Sequence, residues 1–190
     1  MIRLLLAVTA LCVCLEPAAS RAQSAQFKGW SAVSKELSTR LARPGAPLDL
    51  DRFMPAEDVD GLLGTWNGFG DEHTFKNGLP NSVNMMIWRV AFSRFAKSVA
   101  VSCKAPQLDF HERFLATLEA LCAWPAETAK SDAALREFWF AVMGYNAPEA
   151  EYLAWRDFFL TSSYRGRPAS ETIDAMTLAI TMNPFFLLHR

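Results

Sequence analysis

Apolar residues recur every three or four positions along most of this chain, and each such run predicts an amphipathic helix. From Ala25 to Leu41, Phe27, Trp30, Val33, Leu37 and Leu41 share one face, and Arg43-Pro44-Gly45-Ala46-Pro47 ends the run. Leu48 to Met54 alternates apolar residues with Asp49 and Asp51 and reads as a turn before a helix rather than a strand. Pro55-Ala56-Glu57-Asp58 opens that next helix, to about Leu63, with acid at its positive end. Asn81 to Ser102 follows as a long helix with Val83, Ile87, Val90, Phe95 and Val99 on or near one face. Met85, Met86, Trp88, Phe92 and Val101 carry its apolar surface most of the way round, which predicts the central helix of the domain. Arg89, Arg94 and Lys97 keep a narrow wet strip and argue against a membrane span.

Four further runs complete the pattern. Asp109 to about Ala123 carries Phe110, Phe114, Leu118 and Leu121, and Asp109 with Glu112 has capping-box spacing. Ser131 to Met143 turns Leu135, Phe138, Trp139 and Val142 inward, with Gly144 just past its end. Asn146 and Glu149 make a second capping box, with Pro148 in the first turn of a helix to about Ser163. Ser170 is the predicted cap of a helix to Met182, which Asn183-Pro184 breaks before one apolar turn, Phe185 to Leu188. The fold class is all-α: a single domain of about six helices around an aromatic-rich core, with one long Gly/Asn-rich loop.

That loop is Gly61 to Asn81, which holds five of the nine glycines. Glycine costs about 1 kcal/mol in a helix interior relative to alanine, so this density suits neither helix nor strand. Asn67-Gly68 and Asn77-Gly78 are turn dipeptides. Trp66, Phe69 and Phe75 are expected to hold the loop on the core, and Asn81 or Ser82 to cap the next helix.

The beginning of the chain bears on compartment. Arg3, the apolar run Leu4 to Leu15 and Ser20-Arg21-Ala22 have the form of a secretory signal over residues 1–22, with cleavage after Ala22 or nearer Ala19. Residues 23–190 would then form one helical domain, periplasmic or secreted, with no transmembrane segment. Neither Cys12 nor Cys14 has the small preceding residue of a lipobox. Cys103 and Cys122 remain, and an oxidising compartment favours a bridge between them. A simple antiparallel hairpin of the two helices would set them a helix length apart, so the bridge requires a steep crossing or a longer excursion at Lys104 to Leu108. The net charge of −1 and the lack of a basic run disfavour nucleic acid.

Residues 135–188 carry an aromatic pair (Phe138, Trp139), then Met143-Gly144, an acid and a tryptophan on one helix (Glu149, Trp155), a turn, and an ending Asn183-Pro184-Phe185-Phe186-Leu187. This resembles helical modules of unknown function in secreted bacterial proteins, whose last helix ends in a Ser-Pro-Glu-Phe-like signature; Phe185 stands here for the Glu. The resemblance implies an exported bacterial module and no defined chemistry. Phe27 to Leu50, with Leu37-Ser38-Thr39-Arg40 and Leu48-Asp49, is similar to the opening helix of small subunits that accompany periplasmic flavin dehydrogenases, and the likeness stops there.

Candidate chemistry is sparse. Asp71, Glu72 and His73, with Asn67, Asn77 and Asn81 close in sequence, form a candidate binding loop together with Trp66. His73 there would serve as a general base or metal ligand, or the carboxylates and amide oxygens would hold calcium. Against this, the same polar groups satisfy a loop backbone. His111-Glu112 lacks the second histidine of a metalloprotease helix, since position 115 is Leu115, and it reads as a helix first turn. No nucleophile elbow or phosphate loop is marked, and no cofactor is expected. The reading favoured is an exported accessory protein that binds a protein partner in the cell envelope without catalysis, through the loop and the tail residues Phe185 and Phe186. The alternative is a small periplasmic enzyme or ligand-binding protein using a pocket around His73. In the tail, docking on the core competes with contact to a partner.

Overall fold

The computed structural model describes residues 30–48, 50–53, 82–106, 109–124 and 128–187. Among them the chain forms seven helices: α1 Trp30–Leu41, α2 Ser82–Val101, α3 Glu112–Cys122, α4 Thr128–Met143, α5 Glu149–Tyr164, α6 Ala169–Thr181 and α7 Pro184–Leu187. A 3-10 turn, Asp51–Phe53, follows α1. No strand occurs among the described residues; Ala42 with Phe110 and Arg43 with Ala46 are isolated bridges. The chain is all-α, as its periodicity predicts. The signal-like segment, the helix expected from Pro55 and the Gly61–Asn81 loop lie outside the described residues.

The predicted apolar faces are the buried ones. Val33, Leu37 and Leu41 of α1, Phe95 and Val99 of α2, and Leu135, Phe138, Trp139 and Val142 of α4 all sit in the core. Aromatic rings join these faces. Phe92 stacks on Trp88 at 5.2 Å and meets Phe186 edge-on at 5.8 Å. Phe114 lies between Phe110 at 5.2 Å and Phe138 at 5.7 Å. Burying each such side chain contributes about 1.5–3 kcal/mol.

Among the described residues the helix with the most neighbours is α6 rather than α2. It packs against α2, α3, α4, α5 and α7. Its sequence hides this, because Thr172, Thr177 and Thr181 read as polar yet are buried. Thr177 donates its hydroxyl proton to the Ile173 carbonyl at 2.7 Å, and Thr181 to the Thr177 carbonyl at 2.8 Å. A hydroxyl satisfied by its own helix leaves the methyl to pack. Met86, Arg89, Arg94, Lys97 and Val101 instead keep one side of α2 in solvent.

Three expected caps are replaced by others. Asp109 is paired with Arg52, and its carbonyl accepts the Arg43 N–H at 2.9 Å, so α3 begins after His111. The Glu149 carboxylate is held by both terminal nitrogens of Arg136 at 3.1 Å, and Pro148 takes the N-cap of α5 with no side-chain bond. Pro168 takes the N-cap of α6, which places Ser170 inside the helix. Arg136 also lies 3.4 Å over the ring of Tyr152. Burial first, and then the Asp132 carboxylate, push the Tyr152 hydroxyl above its ordinary range. Arg156 reaches the same Asp132 at 3.0 Å, which clamps α5 to α4.

Cys103 and Cys122 are bridged, with Cα atoms 5.5 Å apart. The path between them is the longer excursion. The chain leaves the end of α2 and crosses to the end of α1, where His111 N–H donates to the Leu41 carbonyl at 3.0 Å. From there α3 runs back, which returns Cys122 to Cys103.

Candidate functional site

One cleft among the described residues lies where the end of α1, the start of α3 and the second half of α4 meet. It encloses about 260 Å³. His111 builds its inner corner. The Phe114 backbone N–H donates to Nδ1 at 2.9 Å, so Nδ1 carries no proton. The ring proton is therefore on Nε2, which donates to the Arg40 carbonyl at 2.7 Å. Both ring nitrogens are used: one caps α3 and the other fastens it to α1. His111 thus has no nitrogen left for a metal or a substrate proton. His111→Ala is expected to cost about 1–2 kcal/mol through the lost cap and tie. His111→Asn, whose amide oxygen caps well, is expected to recover part of that in a chemical denaturation series.

Arg40 forms the floor beside it. Its Nη1 donates to the Val142 carbonyl at 2.8 Å, and Nη2 pairs with Glu36 at 3.1 Å. The guanidinium lies against Gly144, at the left-handed turn after α4 with φ of 78°. A Cβ there would meet Arg40 Cζ at 2.6 Å. At the mouth Arg113 pairs with Glu137, whose second oxygen is 3.1 Å from the Thr117 hydroxyl. The hydrogen bond from Arg113 holds the Glu137 carboxyl below the usual carboxylate range, and partial burial opposes this. A depressed carboxylate stabilises the fold at neutral pH and loses that contribution on acidification. The pair is open to solvent, so the effect is small.

The cleft's polar side chains are thus engaged with each other or with backbone. What remains open is apolar: the half-exposed ring of Phe140, with the buried Phe114 behind it. The volume lies below the roughly 300–1,000 Å³ typical of small-molecule sites. It suits one large apolar side chain.

Two other clefts are shallower in chemistry. One, larger at about 460 Å³, borders the Cys103–Cys122 bridge, with Glu112 and Glu119 on its rim. The other lies between the end of α2 and the start of α6, with Lys97, Lys104, Glu171 and Asp174. Burial pushes the Asp174 carboxyl above its ordinary value, against the pull of Lys97. For an acid raised by folding, the charged form is disfavoured in the native state. Asp174→Asn is therefore expected to raise Tm slightly at pH 7, with the gain vanishing below about pH 4, where the carboxyl is protonated folded or unfolded.

The residues Trp66, Asn67, Asp71, Glu72, His73, Asn77 and Asn81 lie outside the described residues. Of the two tail residues, Phe186 is core, edge-on to Phe92, and a buried ring presents no surface to a partner. Phe185 faces outward, 58 % exposed, on a turn where Asn183 Oδ1 accepts its N–H at 2.9 Å. Among the described residues no group of three or more His, Cys, Asp or Glu is placed to hold a metal ion. None of their helices is long and apolar enough to cross a membrane. The sequence does not reveal the cleft. Its one local signal is His111, three residues before Phe114, and that position is an N-cap rather than a first turn. No family model, curated protein or solved structure matches the chain.

Proposed function

We propose that this is an exported helical accessory protein that binds a partner protein in the cell envelope and does no chemistry of its own. The observation that carries this is the α1–α3–α4 cleft. Its polar side chains hold the fold, and its open wall is the half-exposed Phe140 above a buried Phe114. Such a socket takes an apolar anchor from a partner, the arrangement found at interface hot spots. Export is supported by the signal-like pattern of residues 1–22, by the Cys103–Cys122 bridge, and by the resemblance of residues 135–188 to secreted helical modules.

The test is gentle purification of the mature chain from its native envelope, with mass spectrometry of whatever accompanies it. A stoichiometric companion is expected with the wild type and lost with Phe140→Glu, which changes an exposed ring and leaves the core intact. A companion retained by Phe140→Glu would remove the cleft from the interface. A monomer with no companion, together with turnover or metal binding abolished by His73→Ala, would replace this reading with the enzyme or ligand-binding one.

A further inference from the structure

The charge along α2 is one-sided. From Thr74 to Leu108 the sequence has Lys76, Arg89, Arg94, Lys97 and Lys104 and not one Asp or Glu. The fold gathers the described members of this set on a single solvent-facing arc. Met86, Arg89, Arg94, Lys97 and Val101 are exposed, while Trp88, Phe92, Phe95 and Val99 on the other side are buried. Lys104 continues the arc beyond the helix end. Arg94 is engaged, donating to the Phe53 carbonyl at 3.3 Å. Arg89, Lys97 and Lys104 have no carboxylate within ion-pairing distance among the described residues. Glu171 and Asp174 of α6 are the acids nearest Lys97 and Lys104, and they offset part of that end.

We infer that this arc is a second docking surface, separate from the cleft, and that its partner is an acidic amphipathic helix of another protein. Arg89 and Lys97 stand about 12 Å apart along the axis, and Lys104, in the turn after the helix, borders the same cleft as Lys97. A helix laid alongside with carboxylates seven or eight residues apart meets Arg89 and Lys97, and an acid at its end faces Lys104. Met86, Val90 and Val101 give its apolar residues something to cover, in the manner of a short coiled-coil seam flanked by opposite charges. Charge complementarity selects this occupant over two others. Nucleic acid requires a denser basic patch than three groups facing two acids. A membrane surface requires a continuous apolar face free to enter lipid, and on this arc Met86, Val90 and Val101 are interleaved with Arg89, Arg94 and Lys97.

The test uses the full mature chain with its disulfide intact. The probe is a labelled helical peptide of about 21 residues, three heptads with Leu at a and d and Glu at e and g; its scramble of equal composition is the control. Fluorescence anisotropy is expected to show the heptad peptide binding about tenfold more tightly than the scramble, with affinity falling between about 50 and 300 mM salt. The triple variant Arg89→Ala, Lys97→Ala, Lys104→Ala should lose about tenfold. Arg165→Ala with Arg167→Ala, on the exposed turn after α5, should lose nothing. Equal binding of peptide and scramble, or an unaffected triple variant, overturns the inference. So does tighter binding to phosphatidylglycerol vesicles that the triple variant abolishes, which would make the surface a lipid one. Binding that appears only after Glu57, Asp58, Asp60, Asp71 and Glu72 are made amides would also overturn it, by assigning the arc to the chain's own acidic run. A native companion that survives all of these failures, and is lost with Phe140→Glu, leaves the proposed function standing.

Discussion

Gly144→Ala is expected to destabilise the protein by about 2.5–5 kcal/mol. Two costs combine. A side chain at a φ of 78° adopts the left-handed region, at about 1–2 kcal/mol for a residue other than glycine. The new Cβ also overlaps the Arg40 guanidinium at 2.6 Å. That guanidinium ends a flexible side chain and is able to swing away, but doing so gives up its bond to the Val142 carbonyl. A hydrogen bond from a charged donor is worth about 1.5–3 kcal/mol. The check is a double-mutant cycle. In an Arg40→Ala background, Gly144→Ala should cost only the backbone part, so the two changes are markedly non-additive. Additive costs would show that Arg40 does not rest on Gly144.

Removing the Cys103–Cys122 bridge is expected to cost about 3 kcal/mol, through the freedom regained by the unfolded chain across a separation of 19 residues. The loss has a location as well as a size. The bridged excursion carries Phe110 to Ala42 and His111 to Leu41. With the bridge open, the amides of Arg43, His111 and Phe114 should lose hydrogen-exchange protection before those of α6 do. Uniform loss across α6 and the excursion together would mean that the bridge supports the whole core equally.

The helices are legible in the sequence because burial follows a period that composition cannot hide. Val33, Leu37 and Leu41, or Leu135, Phe138, Trp139 and Val142, form faces on periodicity alone, and all of them are buried. Caps are less legible, for a reason of distance. Asp109 is claimed by Arg52, far back in the chain, and Glu149 by Arg136 on the preceding helix. A capping box is a local pattern, and it loses when a guanidinium from elsewhere takes the carboxylate. Periodicity passes over α6, the helix with the most neighbours among the described residues, because hydropathy scores threonine as polar. In α6 the hydroxyls of Thr177 and Thr181 are returned to the helix backbone, so the residues pack as apolar ones. The cleft is hidden by distance too, since it is assembled from Arg40 on α1, His111 at the cap of α3 and Glu137 on α4. The tail pattern leaves two outcomes open, and Phe186 takes the inward one.

The accessory reading is tested most directly by a photocrosslinking residue placed at position 140 of the full chain in its native envelope. Position 164, an exposed site at the far end of α5, provides the control. The predicted result is one discrete adduct of fixed mass from position 140 and none from position 164. No adduct from position 140, or the same scatter of products from both positions, would contradict a partner seated in the cleft.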